Sequence, residues 1–151
     1  MLGIDVDEVD RPSFTEILLS NYSSLPVFID RNTSNMHYNG FSNRYLLKMP
    51  SKFYLRTSST IWPLFHYLPA DITIKEENWQ GYKKANQIFA AYIAKIAQNG
   101  DIVWIHDYHL MLVPQMLREA MKISGKKIKI VFFLHIPFPT SEVYRYIFIR
   151  L

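Results

Sequence analysis

The sequence predicts an α/β fold with a mostly parallel sheet, and three observations within one stretch predict it. Residues 102–105 (IVWI) make a short β-branched and aromatic run of strand length, and residues 129–134 (KIVFFL) make a second. Between them apolar residues recur at Leu110, Val113, Leu117 and Met121, close to the helical period, with Leu112, Met116 and Ala120 widening the face. Gly125, with lysines beside it, supplies the helix stop. Strand, helix, strand in this length is a βαβ unit. Its two strands are expected to be buried, parallel and joined by a right-handed crossover.

The other elements follow in chain order. The first twelve residues are acidic and irregular, and a short helix is expected over 13–19, with Ser13 as N-cap and Glu16 completing a capping box. Residues 25–30 (LPVFID) read as a strand ending on Asp30, followed by a polar loop of Asn32, Thr33, Ser34 and Asn35. In residues 37–43 (HYNGFSN) a phenol, two amides and a hydroxyl surround a glycine, and Asn39-Gly40 reads equally as an ordinary turn. Residues 44–60 are basic, carry no carboxylate, are split by Pro50 and show no periodicity. They read as a surface loop or as sequence foreign to the domain. Residues 61–69 (IWPLFHYLP) are limited by Pro63 and Pro69 to a short turn or helix end, where Trp62 suits either the core or the wall of a sugar site. A helix is expected over 78–97, with Trp79, Tyr82, Phe89, Tyr92, Ile93 and Ile96 on one broad apolar face, stopped by Asn99-Gly100. After the second strand, Pro137 and Pro139 intervene before a further helix from Thr140 over 142–150.

Composition narrows the function classes. At 151 residues the chain is one domain at most, and its 15% aromatic and 20% charged content argues against disorder. A formal charge of +4 with scattered lysines suits an anionic small molecule; no groove-reading or base-stacking module points to nucleic acid. The absence of cysteine removes disulfides and thiolate metal sites. With no signal pattern and no apolar run of membrane-spanning length, the expectation is a soluble, cytoplasmic protein with no membrane partner.

The chemistry-bearing residues gather at the strand ends. His106, Asp107, Tyr108 and His109 lie where the first strand runs out and His135 where the second does, and ligands of open α/β sheets bind outside the carboxyl ends of the strands. The histidine spacing fits no helical metal motif, no serine sits on a strand-to-helix elbow, and only Asp107 is placed as a glycosidase carboxylate would be. A polar sugar or sugar-phosphate pocket remains: Asp107 accepting from hydroxyls, His135 orienting or donating, Tyr38 reaching a phosphate oxygen.

Four segments in order, HYNGFSN, IWPLFHYLP, the tail of GDIVWIHDYHLMLVPQMLR and FFLHIPFPTSEVYR, resemble the trehalose-6-phosphate synthases of glycosyltransferase family 20. The resemblance covers nearly all of the chain except 44–60. It implies part of the N-terminal Rossmann-like domain of a GT-B glycosyltransferase, with helices on both faces of the sheet and the active site in a cleft between two domains. It further implies retaining transfer of glucose from UDP-glucose to glucose 6-phosphate, giving trehalose 6-phosphate. On the matching positions, Tyr38 and Asp107, with Tyr108 beside it, would contact the glucose 6-phosphate acceptor and Trp62 would line its pocket. His135 would lie against the donor sugar as the catalytic position, and Ile136 would bear on anomer selectivity. Neither metal nor cofactor is implied, UDP-glucose being the donor substrate; the leaving phosphate assists the incoming hydroxyl, so no protein nucleophile is needed. Against the family pattern, about fifteen residues are extra before Trp62, a length seldom left structureless in a compact domain. The family's donor-loop glycine and acceptor arginine would precede Met1, and its donor-binding domain would follow Leu151. The expectation is therefore a single incomplete acceptor-side domain over 1–151, with an insert at about 44–60, inactive alone. The alternative is a non-catalytic glucose 6-phosphate-binding or regulatory subunit that docks on partners in a trehalose synthase complex.

Overall fold

A computed structural model describes residues 6–42, 60–68, 74–142 and 145. The first helix, α1 (Arg11–Tyr22), begins two residues before the expected start because Pro12, with its φ preset, occupies the first turn. Ser13 is consequently inside the helix, donating to the Asp10 carbonyl at 2.9 Å, and does not cap it; Asp10 is the N-cap and makes no side-chain cap bond. Ser23 ends the helix at φ 49°, its N–H reaching the Leu19 carbonyl. No α1 residue is buried; Phe14 meets Phe28 with ring centroids 6.5 Å apart, and Arg11 lies over the Phe28 ring.

The expected strand over 25–30 is not one: the segment is extended, but among the described residues it pairs with no ladder, and a strand needs a partner for its backbone groups. Asp30 then does what a loop residue would not. Its Oδ1 accepts from the Thr33 N–H at 2.8 Å and its Oδ2 from the Thr33 hydroxyl and Lys84, capping α2 (Arg31–Ser34). The expected polar loop is therefore helical and continues directly into a π-helical segment, Asn35–Ser42. Asn39-Gly40 makes no turn there; Gly40 is required because a Cβ would strike the Asn78 side chain, which donates to the Gly40 carbonyl at 3.2 Å.

Helix α3 (Ile61–Phe65) is short, as its prolines dictate, and buries all its residues except Trp62. Helix α4 (Glu76–Ile96) packs mainly on the π-helical segment and on α5 (Val113–Ser124). Its buried stripe is Asn78, Gly81, Tyr82, Ala85, Asn86 and Ala90, smaller and more polar than the aromatic face expected, and Ile96 is 45% exposed. The reason is close approach: a Cβ on Gly81 would meet Met36 of the π-helical segment.

Strands β1 (Ile102–His106) and β2 (Lys129–Phe133) pair in parallel, Ile102 opposite Lys129 through His106 opposite Phe133. The 3₁₀ turn Tyr108–Leu110 precedes α5, whose Val113, Leu117 and Met121 are buried as the periodicity requires, and Gly125 stops it at φ 72°. Val103, Ile105 and Ile130 pack with α5 and part of α4. The opposite face is open among the described residues, with Ile102 64%, Trp104 60% and Phe133 48% exposed, so the strands are covered on one side rather than buried on both. A second cluster joins Phe41, Ile61, Leu64, Phe65, Tyr82 and Tyr108 at the carboxyl ends of the strands. Expected elements over 44–59 and 146–150 lie outside the described residues; residues 141–142 are helical. No helix among the described residues is long and apolar enough to cross a membrane.

Candidate functional site

Beyond β1 the backbone turns at Asp107, which adopts φ 68° and ψ 169°, a region that is essentially glycine's. The Asp107 N–H donates to the Phe133 carbonyl of β2 at 2.8 Å, and its Oδ1 accepts from the Tyr108 N–H at 3.0 Å. One carboxylate oxygen is thus held by the chain, while the other accepts no hydrogen bond among the described residues. Next to it, His106 Nδ1 and His135 Nε2 are 3.0 Å apart, so one imidazole donates and the other accepts, and their rings stack at 5.3 Å. Both rings are exposed.

Tyr108 is 7% exposed; its ring stacks on Phe65 at 5.2 Å and is flanked by His109 at 4.5 Å. Burial, then the Asp107 carboxylate and Tyr38, push its phenol up to about 12, so it stays protonated and able to donate. Tyr38, half-buried on the π-helical segment, places its ring 5.5 Å from that of His109. Trp62 stacks on His66 at 3.9 Å, and the His66 Nδ1 lies 2.7 Å from the Trp62 carbonyl. Trp62 and Ile136 both pack, half-buried, against the cluster that contains Tyr108 and Phe65. The structure therefore gathers Tyr38, Trp62, Asp107, Tyr108 and Ile136 around one cluster, and seats His135 on the neighbouring strand end against His106.

Three neighbours of this cluster are not among the site residues expected from the sequence. Tyr82, 1% exposed on α4, donates to the Tyr108 carbonyl at 2.7 Å and accepts from the Met111 N–H at 3.2 Å. Asn86, one turn on and fully buried, donates to the His109 carbonyl at 3.2 Å and accepts from the Leu112 N–H at 3.2 Å. His37 Nε2 is 2.9 Å from the same His109 carbonyl and must donate to it, which leaves its buried Nδ1 without a partner among the described residues. Burial lowers His37, the His109 contact opposing. Burial also lowers His109 to about 4, with Asp107 opposing and His37 reinforcing. The available signal was Asn78, Tyr82 and Asn86, each four apart, which places three polar side-chain ends on one face of the helix.

Residues 1–150 match the family model described as glycosyltransferase family 20. The chain is 47% identical over 148 residues to "Alpha,alpha-trehalose-phosphate synthase [UDP-forming] 1" of Aspergillus niger, which covers 98% of this chain and 26% of that protein. Among solved structures, one from E. coli bound with UDP-2-fluoro glucose is similar with a TM-score of 0.62 and 33% identity, over 78% of this chain and 22% of that one. An alpha,alpha-trehalose-phosphate synthase (UDP-forming) from Burkholderia xenovorans in complex with glucose-6-phosphate is similar with a TM-score of 0.59 and 34% identity, over 75% of this chain and 21% of that one. The chain spans about a quarter of the length of the curated relatives it matches, at 26% for the first of them. The α/β architecture expected from the sequence is the one these enzymes share over that quarter. By its match along residues 1–150 the chain belongs to glycosyltransferase family 20.

Proposed function

We propose that this chain is the acceptor-side part of a UDP-forming alpha,alpha-trehalose-phosphate synthase, an enzyme that transfers glucose from UDP-glucose to glucose 6-phosphate with retention. The observation that carries the reading is the meeting of four separated motif segments at one strand end, around a carboxylate with one oxygen unclaimed among the described residues. In this reading the Asp107 carboxylate accepts from acceptor hydroxyls, Tyr38 and the protonated Tyr108 phenol donate to the sugar phosphate, and Trp62 walls the pocket. His135, oriented through its hydrogen bond with His106, faces the donor sugar, with Ile136 beside it. The protein supplies positioning and charge complementarity at an oxocarbenium-like centre, and needs no nucleophile of its own.

In the GT-B arrangement the donor sugar is held mainly by the second domain, and this chain corresponds to 26% of the A. niger relative. The 151 residues by themselves are therefore expected to bind glucose 6-phosphate without turnover, as one domain with an insert at about 44–60. The test is incubation of the purified chain with UDP-glucose and glucose 6-phosphate, with chromatographic detection of trehalose 6-phosphate. None should form; product above the no-protein control overturns the acceptor-only assignment.

A further inference from the structure

Asp107 stands in a backbone conformation that a side chain resists, so something beyond its own three hydrogen bonds, to the Phe133 carbonyl and from the Tyr108 and Leu110 N–H groups, has to hold it. Four of the backbone groups that follow it, the carbonyls of Tyr108 and His109 and the N–H groups of Met111 and Leu112, end on two side chains of α4. Tyr82 and Asn86 are four apart and so share one face of the helix, and both are at most 1% exposed. The same face of α4 receives the segment that carries Tyr38: Gly81 admits Met36, Asn78 binds the Gly40 carbonyl, and Tyr82 stacks on His37 at 5.4 Å. His37 and Asn86 share the His109 carbonyl. Two segments far apart in sequence are thereby registered on one helix.

We propose that Tyr82 and Asn86 are positioning residues for the acceptor: through their hydrogen bonds to the 108–112 backbone they set the Asp107 carboxylate against Tyr38 at the separation a sugar phosphate requires. The proposal rests on the acceptor reading above. Neither residue touches ligand; each acts through the loop it holds. Removal of the Tyr82 hydroxyl leaves a carbonyl and an N–H of that loop unpaired, and the strained turn at Asp107 is free to relax.

The test is calorimetric titration of glucose 6-phosphate into the 151-residue chain and its Tyr82→Phe variant, at a temperature where circular dichroism shows each folded. Met121→Ala, in the separate cluster between α5 and the covered face of the sheet, serves as a destabilised control. The proposal expects binding at least tenfold weaker in Tyr82→Phe and within twofold of the parent in Met121→Ala. Should Tyr82→Phe not fold, Asn86→Ser, which keeps both Tyr82 bonds, is read in the same way. Unchanged binding in the folded variant overturns the positioning role and leaves the acceptor reading standing. Equal weakening in the control overturns it too, since stability alone then explains the loss. A folded parent that does not bind removes the acceptor reading and this inference with it.

Discussion

Mild acidification should loosen this chain through two imidazoles. His37 is fully buried and His109 half-buried, and burial lowers both, His109 to about 4. The Asp107 carboxylate opposes that shift and His37 adds to it, while the Tyr38 and Tyr108 rings pack against the same imidazole. In the unfolded chain each imidazole returns to about 6.5. Below that pH the unfolded state binds more protons than the folded one, so stability falls as pH drops from about 6.5 towards 4. At about 1.4 kcal/mol per pKa unit, the His109 shift alone would cost roughly 2 kcal/mol by pH 5. Its partial exposure screens this to on the order of 1 kcal/mol, to which His37 adds. Urea unfolding followed by tryptophan fluorescence at about pH 7.5 and pH 5 reads the difference directly. His109→Gln should shallow the slope. A free energy unchanged between the two pH values would refute the assignment of both rings as buried and neutral.

Three further outcomes follow from the packing. Gly81→Ala should destabilise by about 1–3 kcal/mol although alanine favours helix, because the new Cβ meets Met36; an increase in the urea midpoint would show that α4 and the π-helical segment are not in contact there. Leu117→Ala, at a fully buried position of α5, should cost about 2–5 kcal/mol in the same assay, and a loss below about 1 kcal/mol would contradict its place in the core. Asp30→Ala should cost about 1 kcal/mol at neutral pH through loss of the α2 cap. The Asp30 carboxylate is held down to about 2, first by the Thr33 N–H, then by its hydroxyl and Lys84, so the parent's advantage should fade as pH falls from about 4 towards 2; an advantage that grows with acid would reverse the sign.

What the sequence made legible was periodic or punctuated. The two apolar runs and the helix between them needed only their own pattern, and Gly125 marked the stop of α5 with positive φ; α4 instead ends at Ile96 on an extended Ala97, before the expected Asn99-Gly100 stop. The strand-end position of Asp107 and His135 followed from that topology, and Trp62 and Tyr38 from motif order. What failed depended on partners far away in the chain. Residues 25–30 have a strand's composition but no ladder to join among the described residues, and Asn39-Gly40 has a turn's composition but serves close packing against Asn78. The buried stripe of α4 departs from the expected aromatic face because close approach and backbone hydrogen bonding, rather than hydrophobicity, select its residues. There the buried positions hold small residues and three polar-tipped ones, Asn78, Tyr82 and Asn86, each satisfying backbone groups of a neighbouring segment.

The central claim is that the strand-end cluster binds a sugar phosphate. It is tested most directly by NMR titration of glucose 6-phosphate into the 151-residue chain and into Asp107→Ala. The account predicts saturable shifts in the parent, centred on Tyr38, Trp62 and 107–109, and at least tenfold weaker binding in the variant. A folded parent without saturable shifts, or a variant that binds as well as the parent, would contradict it.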